Sequence, residues 1–156
     1  MNALITLITF LLMEGVTWLT HRFVMHGFLW RLHRDHHKKE GNSFFEKNDW
    51  FFIIFSIPSI TLFILGTFIS ELNYLFYIGL GITFYGFAYF VVHEVIIHQR
   101  FKYFTRINNF YFRAIRKAHK VHHKHLGKEE GECFGMLLVP IKYFSEVLKS
   151  KKSNGN

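Results

Sequence analysis

Cysteine occurs once in this chain of 156 residues, at Cys133. An intrachain disulfide is therefore impossible, a four-cysteine zinc or iron–sulfur site within the chain is excluded, and a reducing compartment is permitted. Cys133 is read as a small apolar packing residue, not a nucleophile. Proline occurs twice, at Pro58 and Pro140. Pro58 lies inside an apolar run, where a kink is expected and neighbouring helices can satisfy the freed carbonyl. The motif G-x-G-x-x-G is missing, which removes the usual nicotinamide and flavin fingerprint. Lysine and arginine are missing before Arg22 and again from residue 48 to residue 99. Carboxylates are scarce too, eleven against nineteen Lys and Arg, for a formal net charge of +8.

The stretches without basic residues are apolar. Residues 3–20 hold a single charge, Glu14, and residues 50–70 and 72–92 hold none. Each run approaches the ~20 residues that cross a hydrocarbon core about 30 Å thick. Three such helices buried in a soluble protein would need a larger polar shell than a chain this short supplies. The first run has no basic leader and no small-x-small cleavage site before His21, so it is expected to be retained, not cleaved as a signal peptide. Glu14 is costly in lipid and is expected to face the bundle. Gly79, Gly81 and Gly86 are expected to let the third span approach its neighbours closely. Residues 134–148 form a fourth, shorter apolar stretch carrying Pro140, Lys142 and Glu146. It is expected to be a re-entrant or interfacial helix, with a fourth span as the alternative. The expected fold is an all-α integral membrane helical bundle with three transmembrane helices and a cytoplasmic histidine-rich helical cap. Residues 1–148 form its single domain, and 149–156 a disordered basic tail attached to lipid by charge alone.

The charges orient this bundle. Arg22, Arg31, Arg34, Lys38, Lys39 and Lys47 follow the first span, and the other thirteen basic residues lie from Arg100 onward. The link between the second and third runs, Glu71–Leu72–Asn73, has none. The positive-inside rule places residues 21–49 and those after about 98 in the cytoplasm, with the N-terminus and the 71–73 turn outside. All eleven histidines then fall on one side of the membrane, the cytoplasmic one.

Ten of those histidines form a doubled pattern: His21 and His26 (H-x4-H), His33, His36 and His37 (H-x2-H-H), His93 and His98 (H-x4-H), and His119, His122 and His123 (H-x2-H-H). Imidazole is the commonest protein metal ligand and suits iron, zinc, copper and nickel. Ten exceed the needs of one ion, so two ions are inferred. On a helix, H-x2-H-H places all three rings on one face. Phe112, Ile115, His119, His122 and Leu126 recur at alternating steps of 3 and 4, with Arg113, Lys117, Lys120 and Lys124 opposite. The histidines thus take the apolar stripe, whereas a nucleic-acid-binding helix would carry them among its cations. H-x4-H is different, since i and i+5 lie ~140° apart on an ideal α-helix. Either the two members serve different metals, or the helix loosens as it leaves the membrane. Asp35 and Glu94 are expected to support ligands by hydrogen bonding. His125, outside the pattern, is expected to be accessory.

A structural zinc site usually recruits cysteine, and a transporter buries its ligands near the midplane, where these spans have none. Oxygen chemistry at a di-iron centre fits best, with zinc able to occupy the same ligands. A fatty-acyl or sterol hydroxylase or desaturase, and a non-enzymatic membrane metal- or haem-binding protein, are the alternatives.

The segments HRFVMHGFLWRLHRDHH, FAYFVVHEVIIHQRF and KAHKVHHKHLGKEEGECFG carry a resemblance. Over about residues 2–140 the chain resembles the family of bacterial β-carotene 3-hydroxylases, the carotenoid branch of the membrane fatty acid hydroxylase superfamily. It departs in Glu94, where aspartate is common, and in CFGML where SFGFL is frequent. The resemblance implies O2-dependent di-iron hydroxylation at carbon 3 of the β-ionone rings, taking β-carotene through β-cryptoxanthin to zeaxanthin. It implies that His21, His26, His33, His36, His37, His93, His98, His119, His122 and His123 are the metal ligands. The carotenoid arrives from the bilayer, where the aromatic residues of the third span (Tyr74, Phe76, Tyr77, Phe84, Tyr85, Phe87, Tyr89, Phe90) are candidates to line its slot. With no redox cofactor site in the chain, electrons come from a separate ferredoxin-type donor. Arg113, Arg116, Lys117, Lys120 and Lys124 are the candidates to meet it.

Overall fold

The computed structural model describes residues 2–38, 43–101, 107, 109–129 and 131–153. Helix α1 (Asn2–Thr20) continues into a π-helical turn, His21–Phe28, and after a kink at Gly27 the short α2 follows (Trp30–His37). A 3-10 turn at Lys47–Asp49 opens α3 (Trp50–Phe68), which holds Pro58 in its interior. Helix α4 (Tyr74–Phe90) again continues into a π-helical turn, Val91–Ile97. Then come α5 (Phe110–His122), N-capped by the Asn109 side chain, and α6 (Ile141–Ser153). Among the described residues three stretches are long and apolar enough to cross a membrane: Asn2–Phe28, Lys47–Phe68 and Tyr74–Ile97. Their outward faces expose Leu7, Leu11, Leu12, Phe52, Ile57, Ile60, Phe84 and Phe87. Lipid is the solvent in which such a face is stable, since water would not tolerate apolar patches of this extent.

Helix α4 packs on both α1 and α3, and glycine lets it. A Cβ on Gly81 would stand 2.6 Å from Thr9 Cβ, and one on Gly79 3.1 Å from the Ser59 carbonyl oxygen. On α3, Gly66 meets the Phe76 backbone so closely that a Cβ there would clash with its nitrogen. Gly86 has open space around it, so of the three glycines expected to allow close approach it is the exception. Lipid tails are as apolar as leucine, so helix association in a membrane relies on such close contacts and on hydrogen bonds. Thr6 Oγ1 donates to the Tyr77 carbonyl (3.1 Å) and Ser59 Oγ to that of Gly79 (2.9 Å).

The most buried apolar side chains lie at the histidine end, where Ile115 and Met136 pack with Val92, and Ala114 and Ala118 pack with Tyr143 and Val147. The segment 134–148 is not one helix. It stays irregular to Pro140, whose ring cannot continue an upstream helix, and then forms α6, whose thirteen residues lie against α5 and are too few to span. The expected disordered tail is likewise corrected in part. Helix α6 reaches Ser153, while residues 154–156 lie outside the described residues. Glu14 faces the bundle as expected, accepting hydrogen bonds from the Tyr85 hydroxyl (2.6 Å) and from backbone N–H groups of residues 136–138.

Candidate metal centre

The ten patterned histidines converge where the spans end, in two groups. Ligand-type nitrogens of His21, His26, His33, His37 and His122 lie within 4.8 Å of one another, and so do those of His36, His93, His98 and His119. His123 lies with the second group, its ring centroid 4.4 Å from that of His119 and 5.0 Å from those of His36 and His98. It also stacks on His37 of the first group at 4.3 Å. Its Nε2 is buried and has no hydrogen-bond partner.

Each H-x2-H-H triplet is divided between the groups. In an α-helix i+4 sits ~40° to one side of i and i+3 ~60° to the other. His33 and His37 therefore stay together and His36 crosses to the second group. His119 and His123 stay together in the same way, and His122 crosses to the first. The H-x4-H pairs are not split. Both π turns replace i→i+4 bonding by i→i+5, which stacks residue i+5 over residue i. The His98 N–H donates to the His93 carbonyl (2.9 Å), and the Leu29 N–H to that of Val24 (2.9 Å). The helix does loosen on leaving the apolar run, and both members of each pair lie in one group.

Hydrogen bonds on the far side of six of the ten rings set their tautomer. Nδ1 donates to the Phe134 carbonyl from His21 (2.9 Å), to the Leu126 carbonyl from His26 (2.9 Å) and to the Glu132 carbonyl from His122 (3.0 Å). His33 donates to Asn48 Oδ1 (2.6 Å), His36 to Glu46 Oε2 (2.9 Å) and His93 to Glu94 Oε1 (2.6 Å). These carbonyl and carboxylate acceptors hold the proton on Nδ1, so each Nε2 presents a lone pair. Those Nε2 atoms face one another at 3.0 Å for His21 and His33, and at 3.2 Å for both His26–His122 and His36–His93. Two lone pairs at that distance repel unless a cation lies between them, so the donor set fits a bound metal. Burial keeps the rings neutral, as ligation requires. It is the leading cause that holds His33 and His98 down at about 2, His122 at about 3 and His123 at about 4.

The supporting residues differ from expectation in part. Glu94 Oε1 accepts from His93, and its other oxygen accepts from Arg100, which also grips Asp49 at 2.7 Å. Asp35 accepts instead from the Lys47 backbone N–H (2.6 Å) and steadies the turn that carries Glu46 and Asn48. Those two were not anticipated, although their place just after the HRDHH cluster was a signal. The backbone acceptors of Leu126, Glu132 and Phe134 carry no signal in residue type. His125 belongs to neither group. Of the third-span aromatics, Tyr85 is buried on Glu14 and Tyr89 lies 4.9 Å from the His93 ring, while Tyr74, Phe76, Phe84 and Phe87 face outward. Cys133 packs half-buried beside the α5–α6 core, and burial pushes its thiol up, as suits a packing residue.

Fold and site together define a class: a three-span helical membrane protein that gathers ten imidazoles at one end of its bundle. The chain belongs to the fatty acid hydroxylase family, whose model matches residues 6–143, and is thereby an enzyme of the hydroxylase class. It is similar to a β-carotene hydroxylase of Pantoea ananas, 39% identical over 141 residues that cover 89% of this chain and 78% of that protein. One from Pseudescherichia vulneris is 37% identical over 136 residues, 87% of this chain and 76% of that protein. A chloroplastic β-carotene hydroxylase 2 of Capsicum annuum is 40% identical over 123 residues, 77% of this chain and 39% of that longer protein. No solved structure matches the chain.

Proposed function

We propose that this protein hydroxylates carbon 3 of the β-ionone rings of β-carotene, giving β-cryptoxanthin and then zeaxanthin. The reading rests on the inward-facing Nε2 lone pairs of two histidine groups, in a chain whose similar proteins are β-carotene hydroxylases. His21, His26, His33, His37 and His122 would hold one iron, and His36, His93, His98, His119 and His123 the other. Iron held there would supply O2 activation; the net reaction puts one oxygen atom into the C–H bond and reduces the other to water, consuming two electrons and two protons. The chain's residues do the rest. The Nδ1 acceptors lock His21, His26, His33, His36, His93 and His122 in their ligating tautomer, and Glu46 and Glu94 make His36 and His93 more basic ligands. A C40 carotene is about as long as the hydrocarbon core is thick, so a spanning molecule brings a terminal ring to the level of the histidines. The positive-inside rule sets these at the cytoplasmic face with the N-terminus outside. Zinc, which imidazole also suits, would occupy the same donors where iron is lacking.

Pigment analysis of a β-carotene-accumulating bacterial host expressing this chain is the test. Zeaxanthin and β-cryptoxanthin are expected with the wild type and neither with His33→Ala. Unchanged β-carotene alongside altered acyl chains would overturn the reading in favour of a fatty-acyl substrate. Reporter fusions in the same host are expected to read outside after residue 72 and inside near residue 110, and an outside signal near 110 would refute the sidedness.

A further inference from the structure

Glu14 lies inside the first span, about two turns before His21, and its carboxylate is fully engaged, chiefly by a segment more than 120 residues away. Oε1 accepts from the N–H groups of Met136 (2.9 Å), Leu137 (3.0 Å) and Leu138 (2.9 Å), and Oε2 from Leu137 (3.1 Å) and the Tyr85 hydroxyl (2.6 Å). A carboxylate in an apolar segment is costly unless so engaged, and charge-assisted bonds of this kind are strong. The fit is close, since a Cβ on Gly135 would stand 2.6 Å from Glu14 Oε1.

The residues just before this clamp serve the first histidine group. The Phe134 carbonyl accepts from His21 Nδ1 and the Glu132 carbonyl from His122 Nδ1. Between them Cys133 adopts a left-handed conformation, φ 61°, which turns the chain so that both carbonyls reach a ring. The Phe134 ring closes edge-on over His21, His26 and His122 at 5.6, 5.2 and 5.2 Å. At its other end the segment is tied by Glu132, which accepts from the Tyr143 hydroxyl at 2.7 Å. The second group draws its Nδ1 acceptors from elsewhere, Glu46 and Glu94.

We propose that Glu14 is a positioning residue for the first metal site: it fixes residues 135–138 in the bundle and thereby aims the Phe134 and Glu132 carbonyls at His21 and His122. The inference rests on the two-metal reading above, and it predicts an effect on one site only, which a general loss of packing would not produce. The test is cobalt(II) binding to the purified, metal-stripped full chain in detergent, with far-UV circular dichroism to confirm folding. His93→Ala leaves the first site to be read alone, and His33→Ala the second. Glu14→Gln is expected to weaken cobalt binding at least about tenfold in the His93→Ala background, the size typical of lost support behind a ligand, and to leave it unchanged in the His33→Ala background. Gly135→Ala, which intrudes on the same contact with the carboxylate present, is expected to show the same selectivity and serves if Glu14→Gln does not fold. Equal losses in both backgrounds, or none in either, would overturn the proposal. A wild type that binds two cobalt ions yet hydroxylates no carotene would overturn the functional reading and leave this one standing. A folded wild type binding fewer than two would overturn both.

Discussion

A buried imidazole is a metal ligand only if its proton is held on the nitrogen facing away from the ion. In this chain the acceptors behind the rings are unequal. His21, His26, His33 and His122 donate to neutral carbonyl oxygens, whereas His36 and His93 donate to the carboxylates of Glu46 and Glu94. The second group is therefore the more electron-rich of the two. Glu94→Gln is expected to lower metal affinity there by about 10- to 100-fold without changing the first group. Removing a ligand is more severe. His36→Ala and His122→Ala are each expected to reduce the bound metal from two ions to one, from opposite groups, and to abolish hydroxylation with membrane insertion intact. His125→Ala is expected to keep both ions. Metal content of the purified variants checks all of these, and a loss at His125 equal to the others would refute the partition.

Among the elements, α4 carries the most constraint. It packs on α1 and α3 through glycine and then loosens into the π turn that stacks His98 over His93. Gly81→Leu would force apart α1 and α4, which carry all four H-x4-H histidines at their ends. The cost expected is about 1–3 kcal/mol or more, as for overpacked cores, read as a lower midpoint of thermal unfolding in detergent. Gly86→Ala, into open space, is expected to leave the midpoint unchanged or slightly raised, since alanine favours a helix interior. Equal effects at the two positions would show that the α1–α4 contact is not tight. The contrast was not legible from spacing, because Gly79, Gly81 and Gly86 share one apolar run and only the neighbouring helix tells them apart.

For the whole molecule, the charge distribution bears on the proposed sidedness and on the expected electron donor. The resemblance calls for electrons from a separate ferredoxin-type donor, and an acidic one would suit a protein whose nineteen Lys and Arg lie outside its three membrane-length apolar runs. The five cations proposed to meet it are not equivalent. Arg116 Nε donates to the Ile96 carbonyl, Arg113 reaches Ser150 and Lys117 pairs with Glu146 on α6, while Lys120 and Lys124 are exposed. With ferredoxin and its reductase supplied and electron delivery limiting, turnover is expected to slow as ionic strength rises through about 0.1–0.3 M, where screening becomes severe. Lys120→Glu with Lys124→Glu is expected to weaken donor coupling with both metals retained. A rate indifferent to both changes would assign these charges to topology and lipid alone.

The number of spans, their order and the identity of the histidines were legible along the chain, because hydrophobic runs and ligand spacings are properties of near neighbours. Even the π turns had a trace there: H-x4-H is out of register with an α-helix, and at a span end the backbone is free to rewind. Which histidine joins which group was decided by packing, since α2 and α5 each contribute one i,i+4 pair to one side and one i+3 member to the other. The acceptors behind His21, His26 and His122 are backbone carbonyls, which every residue type offers alike, so no letter in the chain marks them. Glu14 could be placed toward the bundle from its charge, but not its partners. The N–H groups it binds belong to a loop more than 120 residues downstream, and only the folded chain brings them within hydrogen-bond reach.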